Sequence, residues 1–484
     1  MRDVWNRPPW ACRARPGRSL PAVDLVVGFD LDLTLVDTRP CVVAVVSRIA
    51  AEEGVGVDPE LWASRLGPPL EHEVAQWFQE SDVARVAARF RVLMAEVVDL
   101  AVPLPGAAAA LAAVRGHGGR AVVVTAKEEG LARRTLAAVG LEVDVVVGAA
   151  WREAKGQALL GLGAGVYVGD HPHDVVGARV AGAVAVGVRT GGSEPAAADV
   201  LLTDLTAFPE WLAEHVLQAR LAALHGDLEQ LGSVLVAFSG GADSAFLLAA
   251  AVRALGRDRV VAATAVSPSL AAQELPDATA YALGLGVRHL TPGTDELSRE
   301  GYVANGTDRC FHCKATLLDT LRPLAEQLGL AHVATGTNAD DAVAGFRPGI
   351  GAAADRGART PLLAAGLTKA QVREASRRWG LGTADKPALA CLASRLAYGV
   401  QVTPQRLARV DRAESAVRDL LDPEHVRVRD LGGGAARLEL DAAALARCDE
   451  RVIALVEVEG FSTVQVREFA SGSLNPGPAD VARA

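Results

Sequence analysis

The chain has 484 residues, half of them apolar and only 4% aromatic, with a formal net charge of -9. That length exceeds one ordinary domain, and the abundance of Ala, Val, Leu and Gly predicts an α/β fold class with parallel sheets buried under helices. The acidic balance speaks against a nucleic-acid surface, no stretch of about 20 apolar residues offers a membrane span, and six cysteines are too few for a disulfide scaffold. A reducing, cytoplasmic setting is expected, with small molecules as partners and a homo-oligomer as the assembled form.

The Arg- and Pro-rich residues 1–23 lack the apolar core of a signal peptide and are expected to be a disordered tail. Short apolar runs at 25–29, 120–125, 143–147 and 166–169 predict parallel strands with helices between them. Residues 43–53 and 70–100 are helical in pattern and form an insert after the first strand, a small cap over about 40–103. The segment 191–199 is loop-like, 203–214 closes the first domain, and the boundary falls near 215.

The chemistry of this first domain, 24–215, gathers at predicted strand ends, where open parallel sheets place ligands. Asp30-Leu31-Asp32-Leu33-Thr34 follows the first strand, Thr125 ends the second, Asp170 and Asp174 follow the fourth, and Lys155 lies between. One carboxylate can attack phosphorus while a second handles the proton. A hydroxyl and an ammonium can hold phosphate oxygens, and further acids can hold Mg²⁺. These positions resemble the haloacid dehalogenase (HAD) superfamily, whose fold is a Rossmann-like sheet with a helical C1 cap. The resemblance implies Asp30 as nucleophile, Asp32 as general acid/base, and Thr125 and Lys155 as phosphate ligands. It also implies Asp30, Asp170 and Asp174 at Mg²⁺ and a phosphate ester as substrate. The competing reading is a domain that kept the fold and lost turnover.

A second α/β series begins with a helix over 216–231 and continues with strands at 234–237, 260–266 and 332–335, filling 216–400. The first of these strands runs into Ser239-Gly240-Gly241-Ala242-Asp243-Ser244 and then a helix. Glycines let the main chain approach an anion, and the helix N-terminus holds negative charge. No Gly-Lys-Ser/Thr follows, so this is not a Walker A loop. It resembles the PP-loop of ATP pyrophosphatases, which implies that Ser239, Gly240, Gly241, Asp243 and Ser244 bind the ATP phosphates. Residues 426–429, 436–440 and 463–467 alternate like strands of a small mixed sheet, in a substrate or oligomerisation region over 401–476 with a tail at 477–484.

Cys310-Phe-His-Cys313-Lys314 and Cys391 stand apart from Cys12, Cys41 and Cys448, which read as a tail residue and two apolar fillers. From the residues alone, three readings compete for the trio. They are structural zinc with a fourth ligand such as His312, a redox pair, and a 4Fe-4S cluster on three thiolates with one iron open. Around the cysteines lie Gly336-Thr-Asn-Ala-Asp340-Asp341, Phe346-Arg347-Pro-Gly, Gly366-Leu-Thr-Lys369 and Cys391-Leu-Ala-Ser-Arg395.

Together, over about 216–476, they resemble the LarE family. Its members use ATP to put sulfur on pyridinium-3,5-biscarboxylic acid mononucleotide, on the way to the nickel-pincer nucleotide cofactor. The resemblance implies Asp341 at ATP or Mg²⁺, with Asp340 beside it. It implies Lys386, Arg395 and Glu414 at the substrate. It implies Cys391 at sulfur transfer, either as sacrificial donor or, with Cys310 and Cys313, as ligand of a 4Fe-4S cluster. Three cysteines favour the cluster. One departure stands out: Ala470 precedes Ser471-Gly472-Ser473 where the family carries Arg, with Arg467 nearby. A tRNA-thiolating enzyme of the PP-loop class and a non-catalytic scaffold are the alternatives.

Overall fold

The computed structural model describes residues 25–343, 348–387 and 390–470. The expected tails, Cys12, Phe346-Arg347 and the Ser471–Asn475 run lie outside the described residues. The chain forms two compact units that divide between Ala219 and Arg220. Among the described residues no helix is long and apolar enough to cross a membrane.

The first unit contains β1 (Val26–Phe29), β2 (Val36–Asp37), β3 (Val102–Pro103), β4 (Arg120–Val124), β5 (Val145–Val147), β6 (Val166–Gly169), β7 (Val184–Val188) and β8 (Val200–Leu202). Six of these make one parallel sheet in the order β5-β4-β1-β6-β7-β8. Valine dominates these strands because both faces are covered by helices, so no alternation with polar residues is needed. Two strands, β7 and β8, are additional to the four expected. Gly187 interrupts the first, and the second is only three residues long.

The insert is helical, as its pattern requires. Arg39–Glu53 and Val83–Glu96 pack through Val42, Val45, Ile49, Val86, Phe90 and Leu93, spaced to share helix faces. The single helical stretch expected over 70–100 is broken into Leu70–Val74 and Val83–Glu96. The polar run Gln79-Glu80-Ser81-Asp82 interrupts the apolar period. At the base of the insert, β2 and β3 pair antiparallel, Val36 opposite Pro103.

The second unit contains β9 (Val234–Ala237), β10 (Val260–Ala263), β11 (Arg288–Leu290) and β12 (His332–Thr335), a parallel sheet in the order β11-β10-β9-β12. β10 stops before the expected 266, and β11 is an edge strand that its polar sequence hid. One helix spans Phe208–Leu231, where two segments meeting near 215 were expected. A mixed sheet follows: β13 (Val426–Gly432) runs antiparallel to β14 (Ala435–Leu440), which runs parallel to β15 (Thr463–Glu468). Helices Pro404–Leu421 and Glu450–Glu457 cover it, burying Leu407, Val410, Val417 and Val456.

Candidate active sites

In the first unit β1 lies between β4 and β6, so the chain leaves it in opposite directions and opens a crevice at its C-terminal end. Asp30 follows β1, Thr125 follows β4 and Asp170 follows β6. The first turns of helices Glu153–Leu162 and Pro172–Ala181 add Lys155 and Asp174. Carboxylate oxygens of Asp30, Asp170 and Asp174 lie within 4.8 Å of one another. Lys155 Nζ donates to Asp30 Oδ1 at 2.9 Å and to Asp174 Oδ1 at 2.6 Å, and Thr34 Oγ1 donates to Asp170 Oδ1 at 2.8 Å. Gly169 is required here because a Cβ would collide with the Asp174 carboxyl, and Gly191 because a Cβ would collide with that of Asp170.

All four charged groups are buried. Three carboxylates face one ammonium, so negative charge is left uncompensated. Burial raises the Asp30 carboxyl above its ordinary value, and Asp174 and Asp32 add to that against the pull of Lys155. Burial, Asp174 and Asp30 do the same to Asp170. Burial works against the Lys155 charge, but Asp174 and Asp30 outweigh it and hold the ammonium well above the usual lysine range. Buried oxygen ligands with surplus negative charge fit a hard divalent cation. Asp32 is set apart, bonded to Lys127 Nζ at 2.5 Å and to Thr38 Oγ1. Lys127 and Thr38 carry no role in the sequence reading. The Thr125-x-Lys127 spacing was the available signal for the first. Asp30, Asp32, Thr125 and Lys127 line a cavity of about 400 Å³ that continues under the helical insert.

In the second unit the same logic applies to β9, flanked by β10 and β12. The turn after β9 puts Gly240 at φ +73, a conformation that favours glycine. Helix Ala242–Leu255 then starts without a side-chain cap, which leaves its first amides to a ligand. Ser244 Oγ donates to Gly241 O at 3.1 Å and lies 3.1 Å from Ser239 Oγ. The end of β12 approaches closely: a Cβ on Gly336 would sit 2.8 Å from Ser244 N. Asn338 Nδ2 donates to Asp243 at 3.1 Å, and Lys369 pairs with Asp341 at 3.1 Å. Asp340 instead accepts the Lys369 amide at 2.7 Å, a backbone role. Burial, reinforced by Asp341, raises the Asp243 carboxyl.

Ser239, Gly241, Asp243, Ser244, Asp341, Lys386, Cys313 and Cys391 line one cavity of about 550 Å³. Lys314, Lys369 and Arg373 also line it, cations that spacing alone did not single out. Gly240 shapes the turn without lining the cavity.

A family model described as haloacid dehalogenase-like hydrolase matches residues 27–188. A phosphoglycolate phosphatase of Cupriavidus necator is 33% identical over 230 residues, 42% of this chain and 97% of its own length. An uncharacterized protein of Synechocystis sp. is 40% identical over 267 residues, 54% of this chain and 98% of its own. The pyridinium-3,5-bisthiocarboxylic acid mononucleotide synthase of Lactiplantibacillus plantarum is 33% identical over 264 residues, 54% of this chain and 95% of its own. The chain belongs to two enzyme families in series, the HAD-like hydrolases and LarE.

In the LarE half, Cys310 sits in the first turn of helix Arg309–Gln327 and Cys313 at the start of the second, and Cys391 lies in the loop before Leu392–Arg395. Cys310 is exposed and outside the cavity lining. Burial pushes the Cys313 thiol up to about 12, with Cys391 and Cys310 adding to it. Burial also raises Cys391, against the pull of the Arg309 guanidinium. Among the described residues only Asp30, Asp170 and Asp174 gather three ligand atoms within 4.8 Å, so the sulfurs are spread more widely than the ~4 Å of one tetrahedral zinc. His312 is turned to Asp308 at 3.1 Å. Cys310 and Cys391 lie close enough to Cys313 to raise its thiol, and three thiolate donors suit iron in an iron–sulfur group better than a hard cation.

Two side chains expected at the substrate do not line this cavity. Arg395 and Glu414 form a buried ion pair, Nε to Oε1 at 3.0 Å and Nη2 to Oε2 at 3.2 Å, outside the cavity lining. Their charges satisfy each other, Arg395 also donates to Cys391 O at 3.1 Å, and Glu414 accepts Val428 N at 3.0 Å. They hold the Cys391 loop to the mixed sheet. Asn305 and Arg309 hold it from the other side. Asn305 Nδ2 donates to Ala397 O and Val400 O at 2.8 Å each, and Arg309 Nη1 donates to Asn305 Oδ1 at 2.5 Å and to Ala393 O at 2.9 Å. Arg467, near the departing Ala470, is bound to Glu439 at 2.5 and 3.0 Å.

Proposed function

We propose that the LarE half adenylylates a carboxylate of pyridinium-3,5-biscarboxylic acid mononucleotide with ATP and then exchanges AMP for sulfur, a step toward the nickel-pincer nucleotide cofactor. The carboxylate oxygen attacks the α-phosphorus, the bond to the bridging oxygen breaks, and pyrophosphate leaves. A sulfur nucleophile then adds to the activated carbonyl carbon, and AMP departs with the carbon–oxygen electron pair. Ser239, Gly241 and Ser244 receive the phosphates on the turn that Gly240 shapes, Asp243 and Asp341 serve their cation, and Lys386 meets an anionic group of the substrate. Cys310, Cys313 and Cys391 would hold a 4Fe-4S cluster, which supplies a transferable sulfide when bound.

The observation that carries this reading is the single cavity shared by the Ser239–Ser244 turn, Asp341 and Cys391. The test is anaerobic incubation of the full chain with ATP and the pyridinium nucleotide. Pyrophosphate release and a thioacid detected by mass spectrometry are expected; absence of both overturns the reading. Iron and sulfide analysis, with the mass of the Cys391 peptide before and after turnover, decides the sulfur source. Loss of one sulfur from that peptide assigns the donor to Cys391 itself.

In the same reading the HAD half is a phosphatase. Asp30 attacks phosphorus and Asp32 protonates the departing oxygen. Asp32 then takes a proton from water, which attacks the aspartyl phosphate and frees Asp30. Thr125 and Lys155 hold phosphate oxygens. Asp30, Asp170 and Asp174 would hold Mg²⁺, which supplies charge neutralisation when bound.

A further inference from the structure

The cavity above Asp30 and Asp32 has a shape and lining that the phosphatase chemistry alone does not require. It measures about 400 Å³. A two-carbon acid phosphate of about nine heavy atoms takes up at most ~270 Å³ at the ~30 Å³ that liquid water occupies per heavy atom, an upper bound because covalently bonded atoms pack closer, whereas a nucleoside monophosphate of about 23 heavy atoms would fill the cavity at about 17 Å³ per atom. The walls are apolar and aromatic: Trp62, Leu66, Leu70, Phe90, Met94 and Trp151. The aromatic rings are held by their neighbours. Trp62 stacks on Phe90 with centroids 6.0 Å apart, and Trp151 donates from Nε1 to His173 Nδ1 at 3.1 Å.

The cations on the wall are already paired. Arg65 lies 3.7 Å from Glu73, Arg91 pairs with Glu71, and Lys127 pairs with Asp32 at 2.5 Å. A small, doubly anionic substrate with a carboxylate beside its phosphate would need a cation taken from one of these pairs. A leaving group with a flat, weakly polar or cationic ring needs none. It would exclude water from the apolar wall and could meet aromatic edges and faces there.

We propose that the HAD half hydrolyses nucleoside 5′-monophosphates, with the ring-bearing part of the nucleotide seated against the Trp62–Phe90–Trp151 wall and the phosphate at Asp30. The proposal rests on the phosphatase reading of this centre. The phosphorus–oxygen ester bond breaks, the 5′-oxygen takes its proton from Asp32, and water releases inorganic phosphate from Asp30. Two nucleotides share the required chemistry in this chain: AMP, the leaving group of the LarE half, and a pyridinium mononucleotide, its substrate class.

Phosphate release by the full chain with Mg²⁺ tests this, using AMP, nicotinamide mononucleotide, phosphoglycolate and acetyl phosphate as substrates. At least one nucleotide is expected to exceed phosphoglycolate in kcat/KM by about 100-fold, the scale on which an apolar pocket discriminates. The nucleotide that wins identifies the source. Trp151→Ala and, as a second variant, Met94→Ala are expected to raise KM for that nucleotide about 10-fold while leaving acetyl phosphate within about 2-fold. A preference for phosphoglycolate, or nucleotide KM values unmoved in both folded variants, overturns the proposal and leaves the phosphatase standing. If none of the four is hydrolysed, the phosphatase reading falls and takes the proposal with it.

Discussion

Lys155 is the ammonium that pairs with Asp30 and Asp174, and its removal leaves them and Asp170 as three buried carboxylates facing each other. Lys155→Met is expected to abolish phosphate release and to cost about 3–5 kcal/mol, as breaking a buried ion pair does. Mg²⁺ relieves the same repulsion, so it should raise the melting temperature of the variant more than that of the parent. Thermal melts with Mg²⁺ and with EDTA check both points. At Cys391 the decisive neighbour is Arg309, whose positive charge opposes the upward push of burial on the thiol. Arg309→Ala removes that pull, so the thiol ionises at higher pH. In cluster-free protein, alkylation of Cys391 by iodoacetamide at pH 8–9 should slow roughly tenfold, and Arg309→Lys, which keeps the charge, should restore much of the rate. An unchanged pH profile would reduce Arg309 to a hydrogen-bond donor.

The mixed sheet depends on Asp430, a fully buried carboxylate that accepts Arg406 at 2.8 Å and Arg409 at 2.6 Å. Burial raises its pKa, but the Gly432 amide and the two arginines outweigh burial and bring it below the usual 3.8. A depressed folded value means that the stabilisation is complete above about pH 4 and fades as the pH falls through the folded value. Asp430→Asn should therefore cost about 2 kcal/mol at pH 7, less than the ~3–5 of a fully buried pair because both guanidiniums reach solvent. The difference should shrink toward pH 3, as denaturant titrations at the two pH values will show.

The same element explains what could be read in advance. Valine-rich central strands such as β4 and β6 announce themselves, because burial on both faces leaves no alternative composition. Edge strands such as β11, Arg288-His289-Leu290, do not, since one side of the ladder needs no apolar cover. The acids after β1 and β6 were legible because strand ends and carboxylates coincide. The Arg395–Glu414 pairing was not, because the two partners are brought together only by the packing of helix Pro404–Leu421 on the mixed sheet.

Over the whole chain, two centres form by one rule: a central parallel strand whose neighbours are reached in opposite directions, ending in a turn that carries the chemistry. Each centre draws its lining from its own unit. Asp30→Asn should stop phosphate release and leave thioacid formation within about twofold, while Cys391→Ala should do the reverse; double-mutant additivity is the expectation for sites with no shared partners. Parallel assays of the two variants test this, and loss of both activities in either would contradict it.

The two-residue ribbon of β2 and β3 has a separate consequence. Because Val36 and Pro103 face each other, everything between them departs from and returns to one spot. Such a detour behaves as a cassette. Evolution, or an engineer, can exchange the contents for another lid and so redirect which esters are accepted, without re-laying a strand of the hydrolytic sheet beneath.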